Sequence, residues 1–453
     1  MGLTRDVGRF IAAMNYDVVP KAAVPVVVTG FTDCVGVTLA GLAEPVASIV
    51  ANWAGFHGPL AQIADLSAPI PAPELALVLG TAAHALDYDD TAFSGHPSAV
   101  LVPAVLAEAR EVDADGKAMA AAYLTGYEIW GELSNREPDA LHQKGWHPSA
   151  MFGTIAAAGV SAKLRGLNEE MAMRAVGIAA SLASGVVANF GSMTKPFHLG
   201  RTAQSGLVAT RLAEAGLTSS ADALEHDLGF LRAISPQRAV DTARPSRLGE
   251  TWSILSEGIN VKLYPVCFGA HRIIDAMRDL RASAGIGPDD IVAVDAFVSQ
   301  NSTKVLRNSR PQTDLEAKFS AQFAVAAAAI NGRCGSEEVN TDFVRRPDVQ
   351  ALMDKVTVHP LSEGTSDNPT RSPFDWVEVT LADGRRMSSP KIDYMRGHFK
   401  RGVERDVLWQ KFSDCAAAMF DADQTRRLFE TLQALPAVRS VRDFHAPIAH
   451  AAE

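Results

Sequence analysis

His84-Ala-Leu-Asp87-Tyr-Asp89-Asp90-Thr91-Ala-Phe-Ser-Gly-His96-Pro97 gathers three carboxylates and two imidazoles in one short run. Apolar runs flank it, Leu75 to Ala85 before and Ala99 to Ala109 after. Titratable groups between buried helices are costly unless they are paired or used. The run therefore reads as one wall of an active site. His84, Asp87 and Thr91 stand at i, i+3 and i+7, so they would share a face if the first helix continued through them. Asp89, Asp90 and Thr91 could instead cap or end it, which leaves a helix end with solvated carboxylates as the plain alternative. Three Asp and a His could also hold Mg²⁺ or Mn²⁺, and a chelator-sensitive activity would mark that reading. The Asp-Asp-x-x-Asp pattern of isoprenoid synthases is not met, because Asp89-Asp90 is followed by Thr91-Ala92-Phe93.

Working outward, three further stretches carry chemistry. Gly145-Trp146-His147-Pro148-Ser149 sets His147 before an Ala-rich helix, where the positive dipole end favours anions and disfavours imidazolium. A structural histidine is the competing reading. Asn189 to Arg201 breaks two apolar helices and holds Lys195 before Pro196, a cation on a stiffened loop that could bind a carboxylate or act as a base. An exposed lysine is the alternative. Gly200 and Gly206 read as close backbone approaches, since no Gly-x-Gly-x-x-Gly or Walker pattern occurs. Lys262 to His271 places Cys267 near His271, but its apolar neighbours disfavour a thiolate nucleophile. No Gly-x-Ser-x-Gly elbow is present.

Composition narrows the classes. The chain has 453 residues, 47% hydrophobic, enough for a large core in two or three domains. A net charge of −10 and the lack of a Lys/Arg-rich run argue against nucleic acid. Four scattered cysteines (34, 267, 334 and 415) form no Cys-x-x-Cys, so a disulfide framework or zinc knuckle is not indicated. Reduced thiols, no secretory signal and no uninterrupted apolar span lead us to expect a cytoplasmic protein with no membrane partner.

Periodicity predicts helices over Pro20–Leu42, Glu74–Ala85, Leu101–Ala109, Lys117–Leu133, Met151–Leu164, Glu169–Ala188 and His198–Ala215. Asp33 inside the first is a hydrogen-bonded core carboxylate or a site neighbour. The texture changes after about Tyr264. Ile291–Val298 and Lys355–His359 alternate like strands, and Trp376–Leu381 with Arg385–Ser388 reads as a hairpin on Asp383-Gly384. Helices are expected over His271–Ala284 and Ala317–Ala329 among these, and over Glu404–Met419 and Asp423–Leu435 beyond. The expected fold is mainly α with an α+β insertion.

His-Ala-Leu-Asp-Tyr-Asp-Asp-Thr (84–91), Gly-Trp-His-Pro-Ser (145–149), Thr-Lys-Pro-Phe-His-x-Gly (194–200) and Tyr-Pro-x-Cys-x-x-x-His (264–271), in this order in one chain, resemble the MmgE/PrpD family. Asp33-Cys34-Val35-Gly36 and Glu316 to Ser320 fit as well, and the resemblance covers nearly the whole chain. It implies a large helical domain from both chain ends (1–262 and 397–453) and a smaller α+β lid domain (263–396). It also implies a homodimer, no organic cofactor and no metal, and a small di- or tricarboxylate substrate. The family includes 2-methylcitrate dehydratase, cis-aconitate decarboxylase and iminodisuccinate epimerase. Carried over by motif, the pocket residues would be Asp87, Thr91, His96, His147, Lys195 and His271.

Two departures weigh against the epimerase. Phe323 stands where several members have Tyr, and His142 stands where the epimerase pattern has Tyr. The expected activity is hydro-lyase chemistry on a 2-methylcitrate-like acid, with decarboxylation, epimerisation or a non-catalytic carboxylate-binding role as alternatives. Lys195 with His147 or His96 would hold carboxylates, Thr91 would position one, Asp87 would orient a histidine or remove a proton, and His271 would act as acid.

Overall fold

The computed structural model describes residues 2–138, 141–362 and 372–444. The chain begins with α1 (Leu3–Ala13), α2 (Val24–Gly41), α3 (Pro45–Trp53), α4 (Ala61–Ala64) and α5 (Ala72–Ala85). Next come α6 (Pro97–Val112), α7 (Gly116–Ser134), α8 (Pro148–Leu164), α9 (Glu169–Leu182) and α10 (Thr194–Glu214). Short turns α11 (Phe230–Ile234) and α12 (Ser253–Ser256) precede α13 (His271–Ala284) and strand β1 (Ile291–Ser299). Then follow α14 (Gln300–Val305), α15 (Asp314–Ala317), α16 (Ala321–Asn331), α17 (Thr341–Val344) and α18 (Pro347–Met353). Strands β2 (Val356–Leu361), β3 (Trp376–Leu381) and β4 (Arg386–Ser388) lead to α19 (Arg405–Ala416) and α20 (Ala422–Gln433). The protein is mainly α with one small mixed sheet.

The chain divides into two compact units, Met1–Val261 with Glu404–Glu453, and Lys262–Val403. In the first, α8 is apolar on every side and buries nearly its whole length, as a helix without a polar face must. It packs against α7, α9 and α10, and α10 in turn packs along α5. Small residues permit that last contact. A Cβ on Gly200 would overlap the Leu77 carbonyl and the Thr81 hydroxyl, and one on Gly80 would stand 2.8 Å from the Gly200 Cα. Helix α2 is long and apolar enough to cross a membrane by length and composition alone. Its buried Asp33, however, is ion-paired with the buried Lys411 of α19 at 2.5 Å, and α2 packs against α5 and α19.

Several helix boundaries differ from periodicity. Helix α9 ends at Leu182, six residues before the predicted end, because Gly185 and Val186 leave the helix. They pair with His147 and Trp146: the His147 N–H donates to the Gly185 carbonyl at 3.0 Å. Helix α10 starts at Thr194, which takes Lys195 and Pro196 out of the loop predicted for them and into its first turn. Proline is tolerated there, where its missing N–H has no helical partner.

In the second unit the sheet order is β2-β1-β3-β4, with β1 parallel to β2 and antiparallel to β3. Strands β3 and β4 form the hairpin, Gly384 taking the left-handed φ of 87° at its turn. Burial alternates along β3, and α13 and α16 cover the apolar side of the sheet. Helix α16 begins at Ala321, later than its periodicity suggests, because the Ser320 side chain accepts from the Phe323 N–H and caps it.

Candidate active site

The opening stretch does not continue the helix. Helix α5 stops at Ala85, and Asp87 turns the backbone with a left-handed φ of 51°. The helical face that His84, Asp87 and Thr91 would share if the helix continued is therefore absent, and the chain turns instead. Phe93 and Ser94 are also left-handed (φ 51° and 58°), in a tight loop closed between Ala92 and Gly95. Strained backbone of this kind persists where surrounding structure holds it, commonly at functional sites. Thr91 is fixed by paired backbone bonds to Asn260, both 2.9 Å.

Three helices begin at this site. His96 precedes Pro97 of α6, His147 precedes Pro148 of α8, and Lys195 lies in the first turn of α10 beside Pro196. The His96 N–H donates to Ser149 Oγ at 3.0 Å, tying the start of α6 to the start of α8. Helix starts carry unsatisfied N–H groups and a partial positive charge, which suits an anionic ligand.

The side chains converge. Lys195 Nζ donates to Asp87 Oδ1 at 2.9 Å, and both are buried. His96 Nε2 lies 3.9 Å from the same oxygen. Asp89, fully buried, accepts from His84 Nδ1 on one oxygen at 2.7 Å; His96 Nδ1 lies 2.9 Å from the other oxygen but makes its hydrogen bond to the Asp90 carbonyl at 3.2 Å. The His84 and His96 rings are 4.3 Å apart, and His147 lies 6.1 and 6.3 Å from them. His147 Nδ1 meets His198 Nδ1 at 3.2 Å, and its ring stands edge-on to Phe190 at 4.9 Å. Lys195 Nζ also lies 5.1 Å from the Phe190 ring centre. The Thr91 hydroxyl, His84 Nε2 and His147 Nε2 are buried without a hydrogen-bond partner among the described residues.

Burial and the Lys195 charge keep His84, His142, His147 and His198 neutral. Burial pushes His84 down to about 3, with Lys195 and His96 adding to the shift against Asp89. Burial, then Lys195, holds His147 well below the usual range and takes His198 to about 4. His142 falls to about 4 by burial, with the His96 and Lys195 charges assisting. Burial alone would raise Asp89, but the two imidazoles facing it hold it well below the ordinary carboxylate range. Asp90 goes the other way, to about 8, through burial and the nearby Asp33, with the Ser98 hydrogen bonds opposing.

Asp87, His96, His147 and Lys195 are thus brought together in the first unit, and Thr91 lies buried in the loop that follows Asp87. His271 is placed in the second, as the first residue of α13, buried, with Nε2 3.2 Å from the Val266 carbonyl and its ring 5.1 Å from Tyr264. Phe323 is a core residue of that unit, edge-on to Phe343 at 6.3 Å. His142 joins the site wall at 5.8 Å from Phe190 and 6.5 Å from His147. Sequence reasoning gave no role to His198 or Phe190, and gave Asp89 only a capping or metal-holding one. For His198 a signal existed, since it lies one turn after Lys195 in α10. A divalent ion could be offered one ring nitrogen each by His84, His96 and His147, all within 4.8 Å of one another. With Asp87 already engaged by the Lys195 ammonium, the set also suits an organic anion.

The human (Homo sapiens) cis-aconitate decarboxylase is 28% identical over 380 residues, 81% of this chain and 77% of that protein. Its Mus musculus counterpart is 26% identical over 381 residues, 81% and 76% of the two chains. The 2-methylcitrate dehydratase of Cupriavidus necator is 25% identical over 433 residues, 88% and 86%. Residues 5–243 match the MmgE/PrpD N-terminal domain and residues 264–435 match the MmgE/PrpD C-terminal domain. With both domains matched in order along most of its length, the chain belongs to the MmgE/PrpD family.

Proposed function

We propose that this protein is a cofactor-independent lyase that dehydrates a small hydroxylated tricarboxylate of the 2-methylcitrate type. The observation that carries the reading is the Lys195–Asp87 pair set among neutral imidazoles at three helix starts. Dehydration breaks a C–H bond next to a carboxylate and a C–OH bond on the adjacent carbon, forms C=C and releases water. A neutral imidazole accepts the proton, and the imidazolium so formed returns it to the departing hydroxyl, which leaves as water. Lys195 and the helix starts hold the carboxylate on which enolate-like charge develops. Thr91 supplies a hydroxyl for a second carboxylate or the substrate hydroxyl. The site is better supplied with proton acceptors than donors, which favours proton abstraction over simple loss of CO₂.

A second reading, decarboxylation of a cis-aconitate-type acid, is favoured by the similarity to the two mammalian decarboxylases. A panel of citrate-like acids followed by NMR in deuterated water separates the two. Dehydration yields an olefin with all carboxylates retained. Decarboxylation yields CO₂ and one deuterium on the product carbon. Lys195→Ala should lower kcat by about 10²–10³-fold or more, in line with loss of one charge-stabilising donor, with its circular dichroism unchanged. A fully active Lys195→Ala protein would overturn the assignment.

A further inference from the structure

We propose that Asp89 is the positioning carboxylate of this site, locking His84 and His96 with the proton on Nδ1 and so making His96 Nε2 the base. This assignment of the base rests on the lyase reading; the tautomer lock does not.

The inference follows from which atoms can donate. An ionised carboxylate only accepts hydrogen bonds. Asp89 is fully buried, and among the described residues its ion-pair partners are His84 Nδ1 at 2.7 Å and His96 Nδ1 at 2.9 Å, one to each oxygen. His84 Nδ1, hydrogen-bonded to one of these oxygens, must then carry its hydrogen. His96 carries its own on Nδ1 because that nitrogen bonds the Asp90 backbone carbonyl at 3.2 Å, a pure acceptor, while the Asp89 anion 2.9 Å away favours a proton on the same nitrogen. In a neutral ring with Nδ1–H, the lone pair is on Nε2. His96 Nε2 points to the Asp87–Lys195 pair, 3.9 Å from Asp87 Oδ1, beyond hydrogen-bond length. Asp87 itself is a poor choice of base, since the Lys195 ammonium already holds its Oδ1 at 2.9 Å. A base within reach of its orienting carboxylate is a recurrent catalytic arrangement. One carboxylate orienting two rings at once adds a specific consequence. An Asn at this position can accept from one Nδ1–H but must donate to the other ring. His96 keeps its proton on Nδ1 because the Asp90 carbonyl still receives it, so His84 is the ring that turns over.

Selective ¹⁵N labelling of histidine, with His84→Gln and His96→Gln used to assign signals, reads the tautomers in the resting protein without substrate. Wild type should show both rings protonated on Nδ1 and bare on Nε2. In Asp89→Asn, His84 should change to the Nε2–H form while His96 keeps its own. Kinetically, Asp89→Asn should lower kcat by about 10²–10⁴-fold, the range for loss of an orienting carboxylate, with KM little changed. The acid limb of kcat should move to lower pH, because His96 loses the anion that favours its protonated form. A doubly protonated or Nε2–H His96 in wild type would overturn the proposal. So would an Asp89→Asn enzyme with unaltered kcat and an unmoved acid limb. If no carboxylate is turned over at all, the lyase reading fails while the NMR result still decides the tautomer lock. If Asp89→Asn does not fold, the wild-type spectrum decides it alone.

Discussion

Asp90 is adjacent in sequence to Asp89 yet meets a different fate. It faces Ser98, whose N–H donates to it at 3.3 Å and whose hydroxyl bonds its other oxygen and also meets the Tyr123 hydroxyl at 2.8 Å. No imidazole offsets its burial, so its carboxyl titrates near 8. The folded chain therefore keeps a proton that the unfolded chain releases near pH 4. Over that window the folded state binds more protons, so stability falls as pH rises from about 4 to 8. Asp90→Asn removes the titration. Its Tm relative to wild type should increase between pH 6 and pH 8 in a calorimetric scan. Parallel Tm curves for the two proteins would contradict the assigned protonation. Neighbouring aspartates with opposite charge preferences explain why composition alone could not sort the opening stretch. The sorting depends on which side chain the turn at Asp87 aims at which partner.

At the level of elements, the site is marked by a repeated dipeptide, of which the sequence reading took only His147-Pro148 as a helix start. His96-Pro97, His147-Pro148 and Lys195-Pro196 each mark the start of a helix, and in each the residue before proline belongs to the site. Proline at a helix start is readable from sequence. That the three starts meet in one place is not, because it depends on how α5, α6, α8 and α10 pack. Periodicity ended α5 at Ala85, where it does end, but ran α9 on past Gly185. There pairing with distant chain, at Trp146 and His147, outweighed local preference. The crossing of α5 and α10 sets the spacing of Asp87 and Lys195. Gly200→Ala, which crowds the Leu77 carbonyl, should cost about 1–3 kcal/mol by overpacking and reduce turnover by shifting Lys195. Denaturant melts and kcat together test this, and a loss of stability with unchanged kcat would show that the spacing tolerates the shift.

For the whole molecule, the broad class was readable from sequence because the change from helical to alternating periodicity is strong. The first unit is built from chain segments on both sides of the second, and α19 delivers Lys411 to Asp33 in the middle of α2. Lys411 Nζ also donates to the Tyr88 carbonyl at 2.8 Å, one residue after Asp87. Removing one member of such a buried pair should cost about 3–5 kcal/mol, while replacing both by apolar residues can be nearly neutral. Lys411→Met should thus lower Tm sharply, and Asp33→Leu with Lys411→Met should recover much of the loss. A double variant no better than the single one would show that the Tyr88 contact, rather than the pair, carries the effect.

The same contact has a meaning for synthesis. A ribosome makes α2 long before α19. Until α19 emerges, the buried Asp33 carboxylate lacks its Lys411 partner, and α2 settles into its final surroundings at a cost. The turn at Tyr88 waits on the same lysine. A nascent chain that has made α2 but not α19 should therefore be a client for chaperones.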